Sequence, residues 1–346
     1  MSTRVLIVKT SSLGDVLHTL PAVTEAAAAR PELMFDWVVE PAFAEVPAWH
    51  PAVGRIIEAP LRALRRRPDR GALAGLAEAL RARPYDRVID AQGLIKSAVL
   101  TRLARGRRGG FDFASVRERP AALCYADRIA VPRTLHAVER LRRLFAALLD
   151  YPLGAERPDH GLDARVASLR RVRVTEEVLL LHGTSWPDKH WPEAHWVDLA
   201  TRLAAEGHAV RVPFGSEIER GRAERIAEAG RGELVPHGSL AALLERLAQA
   251  RGAVGVDAGP LHVAAAAGVP AVALYGPTDP ARTGPWSPRI QVLRGGLSCE
   301  PCLARRCASP RAPLRGADGG ALEPPCLGRI TPGAVAGLLN ALLAGS

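Results

Sequence analysis

The segment Val254-Gly255-Val256-Asp257-Ala258-Gly259-Pro260-Leu261-His262 reads as a buried strand that ends on an aspartate and enters a helix of small residues. Such a helix start can hold an anion, because its free N–H groups and its dipole favour negative charge, while Ala258 and Gly259 admit close backbone approach. An ordinary capped helix is the plain alternative. The loop His182-Gly183-Thr184-Ser185-Trp186-Pro187-Asp188-Lys189-His190-Trp191 also follows a strand, and it offers two hydroxyls and one ammonium, donors suited to a diphosphate. Trp186, Trp191 and Trp196 could equally be packing residues. After a third strand, Glu219 could accept hydrogen bonds from ribose hydroxyls, or could simply be solvated.

In the first half, Thr10-Ser11-Ser12-Leu13-Gly14-Asp15 follows an apolar run and precedes a helix starting near Val16. Asp15 there could take a proton from a hydroxyl, or could cap the helix. A helix N-terminus lowers a carboxylate's pKa, so Asp15 would be ionised and a weak base, which suits a hydroxyl that turns acidic only as its bond to carbon forms. Arg62, Arg65, Arg66, Lys96, Arg117, His136 and Arg140 form a basic set in the same half, able to receive carboxylates or phosphates, or to serve as solvated surface. Of 46 basic residues only Lys9, Lys96 and Lys189 are lysines, and all three lie in or beside these segments. Arginine cannot replace a compact ammonium where space is tight.

Rival chemistries lack their residues. No lysine follows a glycine as a Gly-x-x-x-x-Gly-Lys loop requires, and there is no complete Gly-x-Gly-x-x-Gly fingerprint, no Asp-x-Asp and no His-Glu-x-x-His. Diphosphate charge would then fall to lysine and helix ends, with no cofactor expected. Cys299, Cys302, Cys307 and Cys326 lie on a Pro/Arg/Gly-rich excursion, where they could hold a structural zinc or remain free thiols.

The elements that must position these residues alternate between apolar strand-like runs and amphipathic helices, as in a parallel sheet covered by helices. Strands are expected near residues 4–9, 35–39, 55–57, 87–90, 178–182, 208–214, 233–236, 252–257 and 271–275. The pattern lapses at Tyr151-Pro152-Leu153-Gly154 and Arg157-Pro158-Asp159-His160-Gly161. The expected division is a domain over 1–165, a second over 172–330, and a closing helix over 331–346 packing back toward the first. Ligands of open α/β sheets lie beyond the carboxyl ends of the strands, so the two domains are expected to face each other across a cleft that holds the site.

At 346 residues, with 48% hydrophobic and 24% charged residues, the chain is long enough for two cores and is not disordered or fibrous. It lacks an apolar run of membrane-spanning length and opens directly on a strand, so a cytoplasmic location is expected, with contact at a membrane surface. The net charge is +10, with +8 in residues 1–150 and +2 in residues 151–346, which suits an anionic partner at the first half. Aromatics at 5% and the lack of a reading module argue against nucleic acid.

The run Val5-Leu6-Ile7-Val8-Lys9-Thr10-Ser11-Ser12-Leu13-Gly14-Asp15-Val16-Leu17-His18-Thr19-Leu20-Pro21 resembles the start of the ADP-heptose:lipopolysaccharide heptosyltransferases, glycosyltransferase family 9. Asp90-Ala91-Gln92-Gly93-Leu94-Ile95-Lys96-Ser97, His136-Ala137-Val138-Glu139-Arg140, Asp188-Lys189-His190-Trp191-Pro192 and Tyr275-Gly276-Pro277-Thr278-Asp279-Pro280 are similar to that family too. The resemblance implies a GT-B fold of two Rossmann-like domains and a metal-independent, inverting transfer of heptose from ADP-heptose to the first Kdo of Kdo2-lipid A. By position it implies Asp15 as general base, with Thr184, Ser185, Lys189, Glu219, Asp257, Ala258, Gly259 and His262 at the donor. It puts Arg62, Arg65, Arg66, Lys96, Arg117, His136 and Arg140 at the acceptor. A peripheral enzyme at the cytoplasmic face of the inner membrane is implied, and a monomer is expected. Ala258 stands where threonine is common in the family, and Trp186-Pro187 alters the phosphate loop. The cysteine excursion looks more like members that add to a heptose already in place, which keeps that acceptor as the alternative. A non-catalytic nucleotide- or anion-binding protein is the alternative from another class.

Overall fold

The computed structural model describes residues 3–172, 175–236, 238–307, 314–315 and 321–345. The chain divides into two compact units between Asp163 and Ala164. In the first unit, strands β1 (Thr3–Val8), β2 (Leu33–Val39), β3 (Val53–Glu58), β4 (Pro84–Asp90), β5 (Arg105–Phe111) and β6 (Asp127–Ile129) form one sheet in the order β3-β2-β1-β4-β5-β6. All its pairings are parallel. Residues Val5 to Val8 are fully buried, as expected of a central parallel strand covered on both faces. Helix Ala137–Leu149 lays Leu141, Leu144, Phe145 and Leu148 against the sheet, with Phe145 stacked on Phe35. Arg142 on this helix is buried and bonded to Glu25 at 2.7 and 3.0 Å, which ties it to helix Leu20–Ala29.

In the second unit, β7 (Glu177–Leu181), β8 (Ala209–Pro213), β9 (Glu233–Val235), β10 (Gly252–Val256), β11 (Ala271–Tyr275) and β12 (Ile290–Arg294) are ordered β12-β11-β10-β7-β8-β9, again all parallel. Each sheet therefore runs outward from its first strand in one direction and resumes at its fourth in the other. The strand ends at that reversal, after β1 and β4 and after β7 and β10, are where open sheets accept ligands. Trp191 and Trp196 pack edge to face at 4.9 Å in the second core, and Trp191 Nε1 donates to Ile330 O at 3.0 Å.

Several expectations are corrected. The helix expected from Val16 begins at Leu13 and is broken at His18 and Thr19, resuming over Leu20–Ala29 with Pro21 in its first turn. Helix Asp163–Val172 joins the second unit, held by Arg170 donating to Ala248 O and Ala267 O, so that unit begins before residue 172. The closing helix, Pro332–Ala344, places Val335, Ala336, Leu339 and Leu343 in the second unit's own core. Strands β5, β6 and β12 went unanticipated. For β5, Arg105-Gly106-Arg107-Arg108-Gly109-Gly110-Phe111 has no apolar alternation because other groups take the space of side chains. A Cβ at Gly110 would lie 2.5 Å from the Tyr125 ring, and one at Gly109 would overlap Leu148.

Gly110→Ala should therefore cost about 1–3 kcal/mol by overpacking against a buried ring. The expected result is a lower denaturant midpoint, and an unchanged midpoint would show that Tyr125 yields freely.

Candidate active site

In the first unit the chain leaves β1 at Lys9, whose side chain is 7% exposed. Its ammonium donates to Ala91 O, just past β4, at 3.0 Å and lies 3.6 Å from Asp15 Oδ1. Asp15 is the third residue of the short helix Leu13–Leu17, and its Oδ2 accepts from Ser12 N at 3.0 Å and Ser12 Oγ at 2.9 Å. Its side chain remains 35% exposed. Burial pushes the Asp15 pKa up, but the Lys9 charge, the two Ser12 hydrogen bonds and the more distant Arg117 outweigh it, so the carboxyl sits below its ordinary value. Burial lowers the Lys9 pKa against the opposing pull of Asp15 and Asp90. Asp15 is thus both the capping acid and an accessible carboxylate.

The loop that carries the pair is fixed from β4. Gln92 Oε1 accepts from Thr10 N and Ser11 N, while Asp90, fully buried, accepts from Gln92 N, Gly93 N, Ser97 Oγ and Tyr125 OH. Neither Lys9 nor Gln92 was assigned a role from sequence; the signal for Lys9 was the scarcity of lysine.

The basic set comes from the same strand ends. Glu40, after β2, donates its N–H to Thr10 O and accepts from Arg62 N at 3.1 Å, which anchors helix Leu61–Arg66 beside the β1 loop. Arg62, Arg65, Arg66, Lys96 and Arg117 have exposed side chains, and Arg62 lies over Phe43. His136 and Arg140 are half-buried and also make structural contacts. His136 caps helix Ala137–Leu149 by accepting from Val138 N, and its ring meets His18 edge-on at 5.3 Å. Arg140 donates to Ser115 O at 2.6 Å and lies over Phe111.

In the second unit, Lys189 reaches from the loop after β7 to Asp257 at the end of β10, with Nζ 2.6 Å from Oδ2. The same oxygen accepts from Thr278 Oγ1 at 2.5 Å, and Oδ1 accepts from Tyr275 OH at 3.1 Å, with His262 Nε2 at 3.9 Å. Both oxygens of Asp257 are therefore engaged, and this aspartate holds Lys189 in place. Tyr275 and Thr278 lie in a motif quoted above but had been given no role. Lys189 also lies 4.7 Å over the Trp186 ring, whose Nε1 donates to Arg305 O.

Glu219, the third residue of helix Glu217–Ala229, accepts from Gly215 N at 2.7 Å and covers Gly183, where a Cβ would come within 2.7 Å of Oε1. Thr184 Oγ1 accepts from Trp186 N at 3.4 Å, and Ser185 is exposed. Ala258 precedes helix Gly259–Ala266 without a capping side chain, so nothing from that residue competes for the N–H groups of the first turn.

The four cysteines of the excursion share one surrounding. All four line one small cavity with Asp188 and Glu300, yet among the described residues no three His, Cys, Asp or Glu side chains are arranged to hold a metal ion. Burial, with the nearby Glu300 charge, pushes the Cys326 thiol up to about 12.

A model of glycosyltransferase family 9 (heptosyltransferase) matches residues 73–312. Lipopolysaccharide heptosyltransferase 1 of Pseudomonas aeruginosa is 45% identical over 350 residues, 98% of each chain. The enzyme of that name from Escherichia coli K12 is 43% identical over 297 residues, 84% of this chain and 93% of its own. The structure described as E. coli heptosyltransferase WaaC with ADP superposes with a TM-score of 0.86 at 39% identity, covering 98% of this chain and all of that one. E. coli heptosyltransferase II, at 23% identity and a TM-score of 0.74, shares the fold.

His182, fully buried at the end of β7, has its pKa pushed down to about 4 by burial and then by the charges of Arg222 and His190. The unfolded chain takes up that proton near 6.5 and the folded one only near 4, so His182 lowers stability as pH falls through this window, by on the order of 3 kcal/mol in all. His182→Leu should flatten the loss between pH 6.5 and 4 in denaturant titrations; an equally steep loss would assign the effect elsewhere.

Proposed function

The chain belongs to glycosyltransferase family 9, the heptosyltransferases, and we propose that it moves L-glycero-D-manno-heptose from ADP-heptose to the first Kdo of Kdo2-lipid A, inverting the anomeric centre, in assembly of the lipopolysaccharide inner core. On this reading the second unit holds the donor, and the first supplies the base and the acceptor surface. The observation that carries it is the Asp15 carboxylate, kept ionised by Lys9 and Ser12 and still a third exposed.

Asp15 takes the proton of a Kdo hydroxyl as its oxygen bonds to the heptose anomeric carbon. The bond from that carbon to the β-phosphate oxygen breaks, and the electron pair leaves with ADP. A depressed pKa makes Asp15 a poor base toward a free alcohol and an adequate one toward a hydroxyl already losing electron density, so proton transfer falls late in the step. Charge growing on the diphosphate is met by the Lys189 ammonium, which Asp257, Thr278 and Tyr275 hold in place, and by the N–H groups opening helix Gly259–Ala266. Thr184 and Ser185 add hydroxyl donors to the phosphates, and Glu219 receives the ribose hydroxyls. Arg62, Arg65, Arg66, Lys96 and Arg117 face the acceptor's carboxylates and phosphates.

Addition to the first Kdo is favoured over addition to a heptose already in place because the relatives matching nearly the whole chain are named heptosyltransferase 1. The heptosyltransferase 2 of Haemophilus influenzae matches over 116 residues, 32% of this chain. The lipid acceptor supports work at the cytoplasmic face of the inner membrane. On this reading attachment there is peripheral, and among the described residues no helix is long and apolar enough to cross a bilayer.

Incubation with ADP-heptose and Kdo2-lipid A should release ADP and add one heptose to the lipid. Transfer only to an acceptor already carrying heptose would replace the proposed acceptor. Asp15→Ala should lower turnover by at least ~10²-fold while the affinity for ADP stays near that of the unaltered chain, and near-normal turnover would remove Asp15 from the role of base. Lys189→Met should weaken ADP binding and slow turnover together, as a calorimetric titration and an ADP-release assay would record.

A further inference from the structure

Helix Ile95–Leu103 buries Ser97, Ala98, Leu100 and Thr101 and turns Ile95 and Val99, one turn apart, outward at 50% and 51% exposure. The 3-10 turn Arg119–Cys124 packs against this helix, buries Ala121 and Ala122, and leaves Leu123 70% exposed. Single exposed aliphatic residues are ordinary, but three on two packed elements are not scattered at random. The same two segments carry exposed cations, Lys96 and Arg102 on the helix and Arg117 and Arg119 at the turn. Glu118 is the one acid in residues 113–123, and its Oε2 is taken by Ile95 N at 2.7 Å.

We propose that this face, with Ile95, Val99 and Leu123 at its centre and Lys96, Arg102 and Arg119 around them, docks the protein onto an anionic lipid bilayer. Aliphatic side chains enter the boundary between headgroups and acyl chains, while the cations meet lipid phosphates. A second copy of the chain fits less well, because a shared face would set these cations against one another. Single-stranded nucleic acid would use the charges but is usually gripped by aromatic platforms, and the three central residues are aliphatic. The helix begins at the carboxyl end of β4, and Glu118 N donates to Gly93 O there, so the face borders the Asp15 loop. The inference rests on the acceptor's being a lipid: the docked face sits beside Lys96 and Arg117, the residues proposed to receive it.

The test sediments the full chain with vesicles of phosphatidylethanolamine and phosphatidylglycerol, and with neutral phosphatidylcholine vesicles. The unaltered chain should pellet with the anionic vesicles, lose binding as salt rises, and stay in solution with the neutral ones. The triple variant Ile95→Ser, Val99→Ser, Leu123→Ser should bind the anionic vesicles at least 10-fold more weakly. Its transfer rate to a Kdo acceptor stripped of acyl chains should match the unaltered chain, which controls for folding. An unaltered chain that ignores anionic vesicles, or a triple variant that pellets equally well, overturns the proposal. So does a dimer in sedimentation equilibrium that the triple variant abolishes. Vesicle binding without transfer to any Kdo acceptor would defeat the proposed function and leave the docking face standing.

Discussion

A lysine ammonium set against an aspartate at the reversal of strand order is the interaction on which both units depend. Lys9 reaches from the end of β1 to the end of β4 and meets Asp15 on the way, while Lys189 reaches from the loop after β7 to Asp257 at the end of β10. In each case the cation spans two adjacent parallel strands whose connections depart in opposite directions. That divergence leaves room for a ligand and a need for something to hold the loops. Arginine's planar fork would not fit the same point contacts, which gives a physical reason for lysine at these places in a chain otherwise supplied with arginine.

The two pairs are balanced differently. Asp15 keeps part of its surface open and carries only Lys9 and Ser12, so it has capacity for a proton. Asp257 is bonded by Lys189, Thr278 and Tyr275 and its side chain is only 9% exposed, so it mainly fixes the lysine. On the proposed mechanism the more exposed acid of one unit would act as base, and the lysine held by Asp257 in the other would meet the leaving diphosphate, two uses of the same kind of pair. Asp15 can serve structure and chemistry together because a helix cap uses one carboxylate oxygen and leaves the other.

Around these pairs the fold is fitted by contacts that local pattern does not reveal. Strand β5 exists because Tyr125 and Leu148 fill the space that side chains at Gly110 and Gly109 would need. The closing helix lies on the second core because its small and aliphatic face matches the one bordering β10 and β11. Close packing of this kind overrides strand propensity, which measures fit to a surface more than any backbone preference.

What the amino-acid order determined by itself was local: the alternation of buried strands and helices, the polar loops that follow them, and the residue types able to bind a diphosphate or take a proton. Each is written in a few adjacent residues, as in Val5 through Asp15 or Val254 through His262. Only the tertiary structure decided which groups have capacity left. Thr278 and Tyr275 reach Asp257 from a neighbouring strand end, His136 and Arg140 take part in a cap and a ring contact, and burial raises the Cys326 thiol pKa. Hydrogen-bond capacity and pKa are set by whatever lies within a few ångströms, and those neighbours come from strands far apart in the chain.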